Sequence, residues 1–177
     1  MLDRMATPTE SRMDIPPYPR LQRALNYWES KRGRRRMPAR RDLDPLEIPE
    51  LLPFVILTDV THDPLDLRYR LIGTAVVDRC ARDYTGLRLR ALPGKGPGSV
   101  VWDLRAKAVQ EGRPVYREDV PYVGPSKEVR RVRDLHLPLS NDGERVNMLF
   151  TVTAFDEVRA PSTRWTLSSW PGRHAVA

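Results

Sequence analysis

An arginine on the apolar face of a predicted helix is the first candidate for chemistry in this sequence. In the helical projection of residues 99–110, Arg105 falls within the same apolar arc as Val101 and Trp102. A cation in such a place needs an acceptor. Either a ligand carboxylate, a ligand phosphate or a structural acid supplies it, or the long side chain carries its charge past the helix edge to water. The sequence alone leaves both interpretations open.

A second arginine lies on a predicted strand. Arg133 continues the face formed by Leu135 and Leu137, because alternate residues of a strand point to the same side. At a cavity mouth its guanidinium would bind a carboxylate bidentately, whereas at a solvated strand end it would contact water. Tyr69 and Trp102 are the aromatic residues we expect to line an interior, although core packing would explain both. The candidate ligand-binding residues are therefore Tyr69, Trp102, Arg105 and Arg133.

Cysteine, histidine and known catalytic motifs offer little chemistry. Cys80 is the single cysteine, so we expect a small buried hydrophobe and no disulfide or cysteine zinc site. His62, His136 and His174 are far apart in the sequence, and His136, opposite the leucine face, is expected at the surface or at an interface. No phosphate-loop, dinucleotide or zinc-protease motif occurs. We predict no catalytic residue, no enzyme activity, no metal and no haem or flavin attachment; any other cofactor is left unassigned.

The net charge is concentrated in one segment. The 177 residues carry 30 Lys+Arg and 23 Asp+Glu, a formal net charge of +7, and residues 31–41 hold seven cations and no acid. Clustered arginines can neutralise phosphates, so Arg34, Arg35 and Arg36 are candidate nucleic-acid contacts. No aromatic residue is interleaved for base stacking, and no helix-turn-helix pattern accompanies the run. A solvated face, or a patch that pairs with an acidic partner, is the competing interpretation.

The elements that must position these residues follow from the apolar periodicity. Residues 1–19, with four prolines, predict a flexible leader, and the Ser- and Pro-rich residues 157–177 predict a disordered tail. The domain at 20–156 has predicted helices over 20–33, 44–52, 74–82 and 99–110, and predicted strands over 54–60, 67–73, 115–122, 129–139 and 145–155. Strands paired by hairpins around a helical block predict an α+β fold, with helices on one sheet face.

The first predicted helix is amphipathic. Leu21, Leu25 and Trp28 repeat at helical spacing. Exposed apolar stripes seldom stay unpaired, so these three residues are the candidate interface for a dimer or a protein partner.

Several local sequences, in the order of these elements, resemble a stand-alone PAS-type family found in alphaproteobacteria, long described as a domain of unknown function. The resemblance covers about residues 21–155. It is carried by Tyr27-Trp28, Pro38-Ala39-Arg40, Asp42-Leu43-Asp44-Pro45, Leu51-Leu52-Pro53, Tyr69-Arg70-Leu71-Ile72-Gly73-Thr74, Arg82-Asp83-Tyr84-Thr85-Gly86 and Leu137-Pro138-Leu139-Ser140. The resemblance implies a five-stranded antiparallel sheet that cups short helices around a small interior able to hold a ligand.

These observations predict a non-enzymatic PAS-type sensor or signalling adaptor. We expect it to bind a small ligand and to act through a protein partner or as a homodimer. The alternative is a nucleic-acid-binding protein that uses residues 31–41. No apolar run is long enough to span a membrane and no secretory signal opens the sequence, so we expect a cytoplasmic location.

Overall fold

Five antiparallel strands form one sheet in the computed structural model, which describes residues 18–80, 82–123 and 129–155. The predicted leader and tail lie largely outside these residues. The strands are β1 (Val55–Thr61), β2 (Asp66–Ile72), β3 (Val115–Val123), β4 (Val129–Leu139) and β5 (Met148–Phe155). Their order across the sheet is β2-β1-β5-β4-β3, so β5, the last strand in sequence, pairs between β1 and β4. The predicted α+β fold with a five-stranded antiparallel sheet is confirmed.

Three α-helices accompany the sheet within the described residues: α1 (Pro19–Arg32), α2 (Thr74–Cys80) and α3 (Val100–Glu111). The ends of α3 are the predicted ones. The Ser99 hydroxyl accepts a 3.2 Å hydrogen bond from the Trp102 amide, and the Gly112 amide donates to the Ala108 carbonyl at 3.0 Å. Gly112 has a φ of 58°, a conformation that glycine adopts without the steric cost of a side chain.

Two element boundaries differ from the prediction. The helix expected over 44–52 is two separate 3-10 turns, Pro45–Glu47 and Leu52–Phe54, because prolines at 49 and 53 interrupt an α-helical hydrogen-bond ladder. The strand expected from residue 145 begins at Met148 instead. The Asp142 carboxylate accepts hydrogen bonds from the Glu144 and Arg145 amides at 2.9 Å, and these bonds keep residues 144 and 145 in the turn.

Helices cover both faces of the sheet. Along β4, Val132 and Asp134 point to the side of α3, which we call the inner face, and Arg133 and Leu135 point to the opposite, outer face. α1 packs on the outer face against β4 and β5. The predicted helices on one face correspond to α2 and α3, and the predicted N-terminal amphipathic helix, α1, lies on the other face.

The apolar stripe of α1 is part of the core of this chain. Leu21, Leu25 and Trp28 are all buried, and the Trp28 indole donates a 2.8 Å hydrogen bond to the Pro138 carbonyl. The expectation that these three residues form a free partner surface is wrong for this conformation. The stripe is paired, but with the outer face of its own sheet.

A cavity on the inner face as the candidate functional site

A cavity of about 60 Å³ lies between the inner face of the sheet, α2 and α3. A buried water needs roughly 10–15 Å³ of such space, so the cavity has room for a few waters or a ligand of that size. Its apolar lining residues include Ile56, Ile72, Val76, Val101, Val120, Val132 and Phe155. Its polar lining residues include Tyr69, Arg82, Lys95, Arg105, Asp134 and Thr153.

Arg105 points into this cavity from α3. The residue is only 2% exposed. Its Nη1 donates a 2.9 Å hydrogen bond to the Val101 carbonyl one turn earlier, and its guanidinium lies 5.7 Å from the centroid of the Tyr69 ring. Its Nε has no hydrogen-bond partner among the described residues. The interpretation in which Arg105 reaches water past the helix edge is therefore wrong.

Asp134 and Thr153 supply a polar pair on the opposite wall. They face each other across the β4–β5 ladder, and the Thr153 hydroxyl donates a 2.8 Å hydrogen bond to Asp134 Oδ1. Burial raises the pKa of Asp134, while the positive charge of Arg105 and the Thr153 hydrogen bond act in the other direction. Burial prevails, so the site favours the protonated carboxyl more than water does.

Lys95 brings a second cation to the cavity from the segment that precedes α3. Its Nζ lies 5.2 Å from the centroid of the Tyr84 ring. Burial lowers the pKa of Lys95, and repulsion from Arg105 lowers it further. Cys80 lines the same cavity, half-buried, and burial raises the pKa of its thiol. Cys80 packs against the core, as predicted for a small hydrophobe, but it is only partly buried and the charge of Lys95 also acts on its thiol.

His136 lies in the interior and not at the surface as expected. It is fully buried, its Nδ1 lies 2.9 Å from the Thr151 hydroxyl, and its Nε2 has no partner among the described residues. Burial, and then the charge of Arg105, hold the pKa of His136 well below its ordinary range. The sequence expectation failed because β4 is covered on both faces, whereas alternation in an antiparallel strand usually indicates one solvated face.

The four predicted ligand-binding residues do not come together. Tyr69 and Arg105 line the cavity. Arg133 lies on the outer face, where its guanidinium is 4.3 Å from the centroid of the Tyr18 ring. Trp102 is buried outside the cavity wall, with the Arg90 guanidinium 5.7 Å from its ring. A ligand role in this cavity is therefore withdrawn for Trp102 and Arg133.

Sequence reasoning missed the other polar wall residues. Lys95, Asp134 and Thr153 lie far apart in sequence, and only folding brings them to one cavity. A signal was present in β5, because Thr153 interrupts its apolar run, and Thr153 pairs with Asp134 across the ladder.

The basic segment 31–41 is partly engaged in structural contacts. Arg35 Nη1 pairs with Asp42 at 2.8 Å, Lys31 pairs with Glu47 at 2.6 Å, and Arg36 Nη2 donates to the Glu111 carbonyl at the end of α3. Arg34 is exposed. Asp42 and Glu47 neutralise part of the positive charge of the segment. A nucleic-acid role for Arg34, Arg35 and Arg36 stays a prediction.

A second concavity lies on the outer face beside the two 3-10 turns. This groove of about 420 Å³ is mostly apolar and includes Leu43, Ile48, Leu52 and Leu71. None of its lining residues carries a buried polar side-chain atom without a partner. The groove thus lacks the convergent polar groups that orient a small molecule, and the cavity on the inner face is the better candidate site.

Neither a metal-ligand cluster nor a membrane-spanning helix occurs in the described residues. No group of three or more His, Cys, Asp or Glu side chains is placed to hold a metal ion there. No helix in the same residues has the length and apolar character to cross a membrane.

Comparison with protein families agrees with the fold. Residues 18–99 match a family model described as a PAS domain. The matched segment runs from α1 to the residue before α3, and α3 with β3, β4 and β5 completes an architecture consistent with a PAS-like fold. No curated protein matches the chain.

Proposed function

We propose that the protein is a sensor that holds a small ligand in the cavity on the inner face. Residues 18–99 match the model of a PAS domain, and members of that family are generally non-enzymatic sensory modules. Binding of the ligand alters the contacts of the protein with a protein partner or with a second copy of the chain. PAS domains commonly bind small ligands and mediate protein interactions, which supports both halves of the proposal, ligand binding and signalling through protein contacts. A homodimer and a cytoplasmic location stay predictions.

One observation carries the ligand half. The Arg105 guanidinium is buried at the cavity, has one hydrogen bond to its own helix, and leaves Nε without a partner in the described chain. A buried cation with unmet hydrogen bonds costs free energy. A ligand that accepts from Arg105 removes part of this cost, so ligand binding and stability are coupled.

α3 offers a route from the cavity to the surface. Its inward side carries Val101 and Arg105, and its other side exposes Val100, Asp103 and Lys107. A small shift of Arg105 on ligand binding moves a rigid helix, and the exposed side of that helix moves with it. A partner that contacts this side would then distinguish the two states.

Native mass spectrometry of the freshly purified full chain tests the ligand half, with the denatured mass as reference and an absorbance scan for chromophores. We expect a non-covalent excess mass that disappears on denaturation. It should be lost in Arg105→Gln and kept in the control Trp102→Phe, a position outside the cavity wall.

Hydrogen exchange tests the second half. We expect amides of α3 to exchange more slowly in the ligand-bound protein than in the ligand-free protein, with the change reaching its exposed side. The proposal fails if the purified chain carries no excess mass and no compound of a small-molecule library slows exchange in α3.

A further inference from the structure

The charges around the cavity do not balance. Three cations line it, the exposed Arg82, the partly buried Lys95 and the buried Arg105, against one buried acid, Asp134. None of the three cations forms an ion pair with a carboxylate in the part of the chain that the structure describes. Arg82 and Lys95 instead face the Tyr84 ring. A bound anion would supply a counter-charge to the buried Arg105.

The cavity wall carries both cationic and apolar side chains. Lys95 and Arg105 supply positive charge, with Arg105 beside Tyr69, and Val76, Val120 and Phe155 supply apolar surface. Inorganic phosphate or sulfate, which is polar on every side, would leave the apolar side chains without a contact. An anionic head with a short hydrocarbon tail offers a contact to both kinds of side chain.

We infer that the ligand of this cavity is a short-chain aliphatic monocarboxylate, an inference that rests on the proposed ligand-binding function. Its carboxylate accepts a hydrogen bond from the unpartnered Arg105 Nε, and charge-assisted hydrogen bonds of this type are about twice as strong as neutral ones. Lys95 adds a second positive charge to the cavity wall. The cavity volume of about 60 Å³ limits the tail to a few carbon atoms.

Asp134 compensates the cations only in part. The positive charges of Arg105 and Lys95 both act to lower the pKa of Asp134, so the three groups interact, although burial has the larger effect. The Asp134 carboxyl accepts its hydrogen bond from Thr153 and forms no ion pair with Arg105 or Lys95 within the described residues.

Four probes of similar size test the ligand class on the full chain at constant ionic strength. Butanoate carries the charge and the tail, butanamide keeps the shape without the charge, butylammonium reverses the charge, and sulfate has no tail. We expect calorimetry to show butanoate binding at least about 10-fold more tightly than the other three, since a hydrogen bond to a charged group contributes on this scale. Affinity should also rise from acetate to butanoate.

Variants locate the binding. Arg105→Gln should lower butanoate affinity by between about 10-fold and about 100-fold. The control Arg133→Gln, on the outer face, should leave it unchanged. Circular dichroism confirms that each variant is folded, and Lys95→Gln provides a second cavity variant if Arg105→Gln does not fold.

The outcomes separate the two proposals. Equal binding of butanamide and butanoate, or tighter binding of sulfate, would overturn the carboxylate inference and leave the ligand cavity standing. Binding of butanoate that both cavity variants retain would place it elsewhere and also overturn the inference. If no probe binds and native mass spectrometry shows no excess mass, the ligand cavity itself fails.

Discussion

The Thr153 hydroxyl donates a 2.8 Å hydrogen bond to the Asp134 carboxylate across the β4–β5 ladder, on the side of the sheet that faces Arg105. The pair sits on the cavity wall, where Asp134 is almost completely buried. The protonation state of such a buried carboxyl, and not only its contacts, affects the free energy of unfolding.

Stability should fall with rising pH because of Asp134. Its pKa is raised above the ordinary value of 3.8 in the folded chain, so the folded state holds this proton to a higher pH than the unfolded state does. The effect begins near pH 3.8 and ends above the raised pKa. Asp134→Asn should remove it. In denaturant titrations, the free energy of unfolding of the variant minus that of the parent should increase as pH rises through this window. A difference that does not change with pH would contradict the role of the Asp134 proton.

Asp142 should give the opposite slope. Its carboxylate accepts hydrogen bonds from the Ser140 hydroxyl and from the Glu144 and Arg145 amides, which lowers its pKa to about 2. A lowered pKa contributes stability above the ordinary value of 3.8, and this contribution is lost as pH falls towards 2. Asp142→Ala should lower the melting temperature at neutral pH, and the difference from the parent should shrink below pH 3.8. A constant difference would contradict the role of the carboxylate.

Truncation in α1 should destabilise the monomer. Leu25 is buried between α1 and the outer face, so Leu25→Ala should lower the free energy of unfolding by about 2–5 kcal/mol. The control Asn26→Ala, at an exposed position of the same helix, should change it by less than about 0.5 kcal/mol. Chemical denaturation at two protein concentrations measures both. A loss that depends on protein concentration would instead restore an interface role for this stripe.

Gly73 should not tolerate a side chain. A Cβ at this position would overlap the carbonyl oxygens of Leu52 and Pro53, which approach where β2 leads into α2. Gly73→Ala should therefore lower the free energy of unfolding by about 1–3 kcal/mol. At Gly96 the nearest atom to an added Cβ is 3.5 Å away and φ is not positive, so Gly96→Ala is the matched control. Equal losses in the two variants would contradict the steric argument.

Substitutions at Arg36 and Arg34 distinguish a structural role of the basic segment 31–41 from a nucleic-acid-binding role. Arg36 donates to the carbonyl at the negative end of α3, so Arg36→Gln should lower the free energy of unfolding by about 0.5–1 kcal/mol. Arg34→Gln, at an exposed position, should leave stability unchanged. If RNA or DNA binds, both variants should weaken it alike and salt should weaken it steeply. A gel shift absent at low salt would remove the nucleic-acid alternative.

Local features of this fold were predictable from sequence. Ser99 and Gly112 mark the ends of α3, and Asp142 and Gly143 mark the turn between β4 and β5, as expected. These signals work because each hydrogen bond joins residues only a few positions apart. The conformation of glycine and the short reach of serine and aspartate side chains then determine the structure without help from the rest of the chain.

The candidate site was predictable only in part. Arg105 was identified because one charged residue interrupts an apolar helical arc, and periodicity reveals such an interruption. Arg133 was assigned to its correct strand face, yet that face lies against α1 and not at the cavity. Periodicity shows that a strand has two faces, but it contains no information on what covers each of them.

The amino-acid sequence by itself determined the positions of α1, α3 and the strands to within a few residues, the strand pairing by hairpins and the turns, because neighbours along the chain make those contacts. Only the tertiary structure decided that α1 covers the outer face and that Arg105, Lys95 and Asp134 share one cavity. The contact of Trp28 with Pro138 joins residues 110 positions apart. Such contacts depend on how whole elements pack. The apolar residues of α1 could be buried equally well against their own sheet or against a partner protein, and only the packed structure shows that they are buried against the sheet.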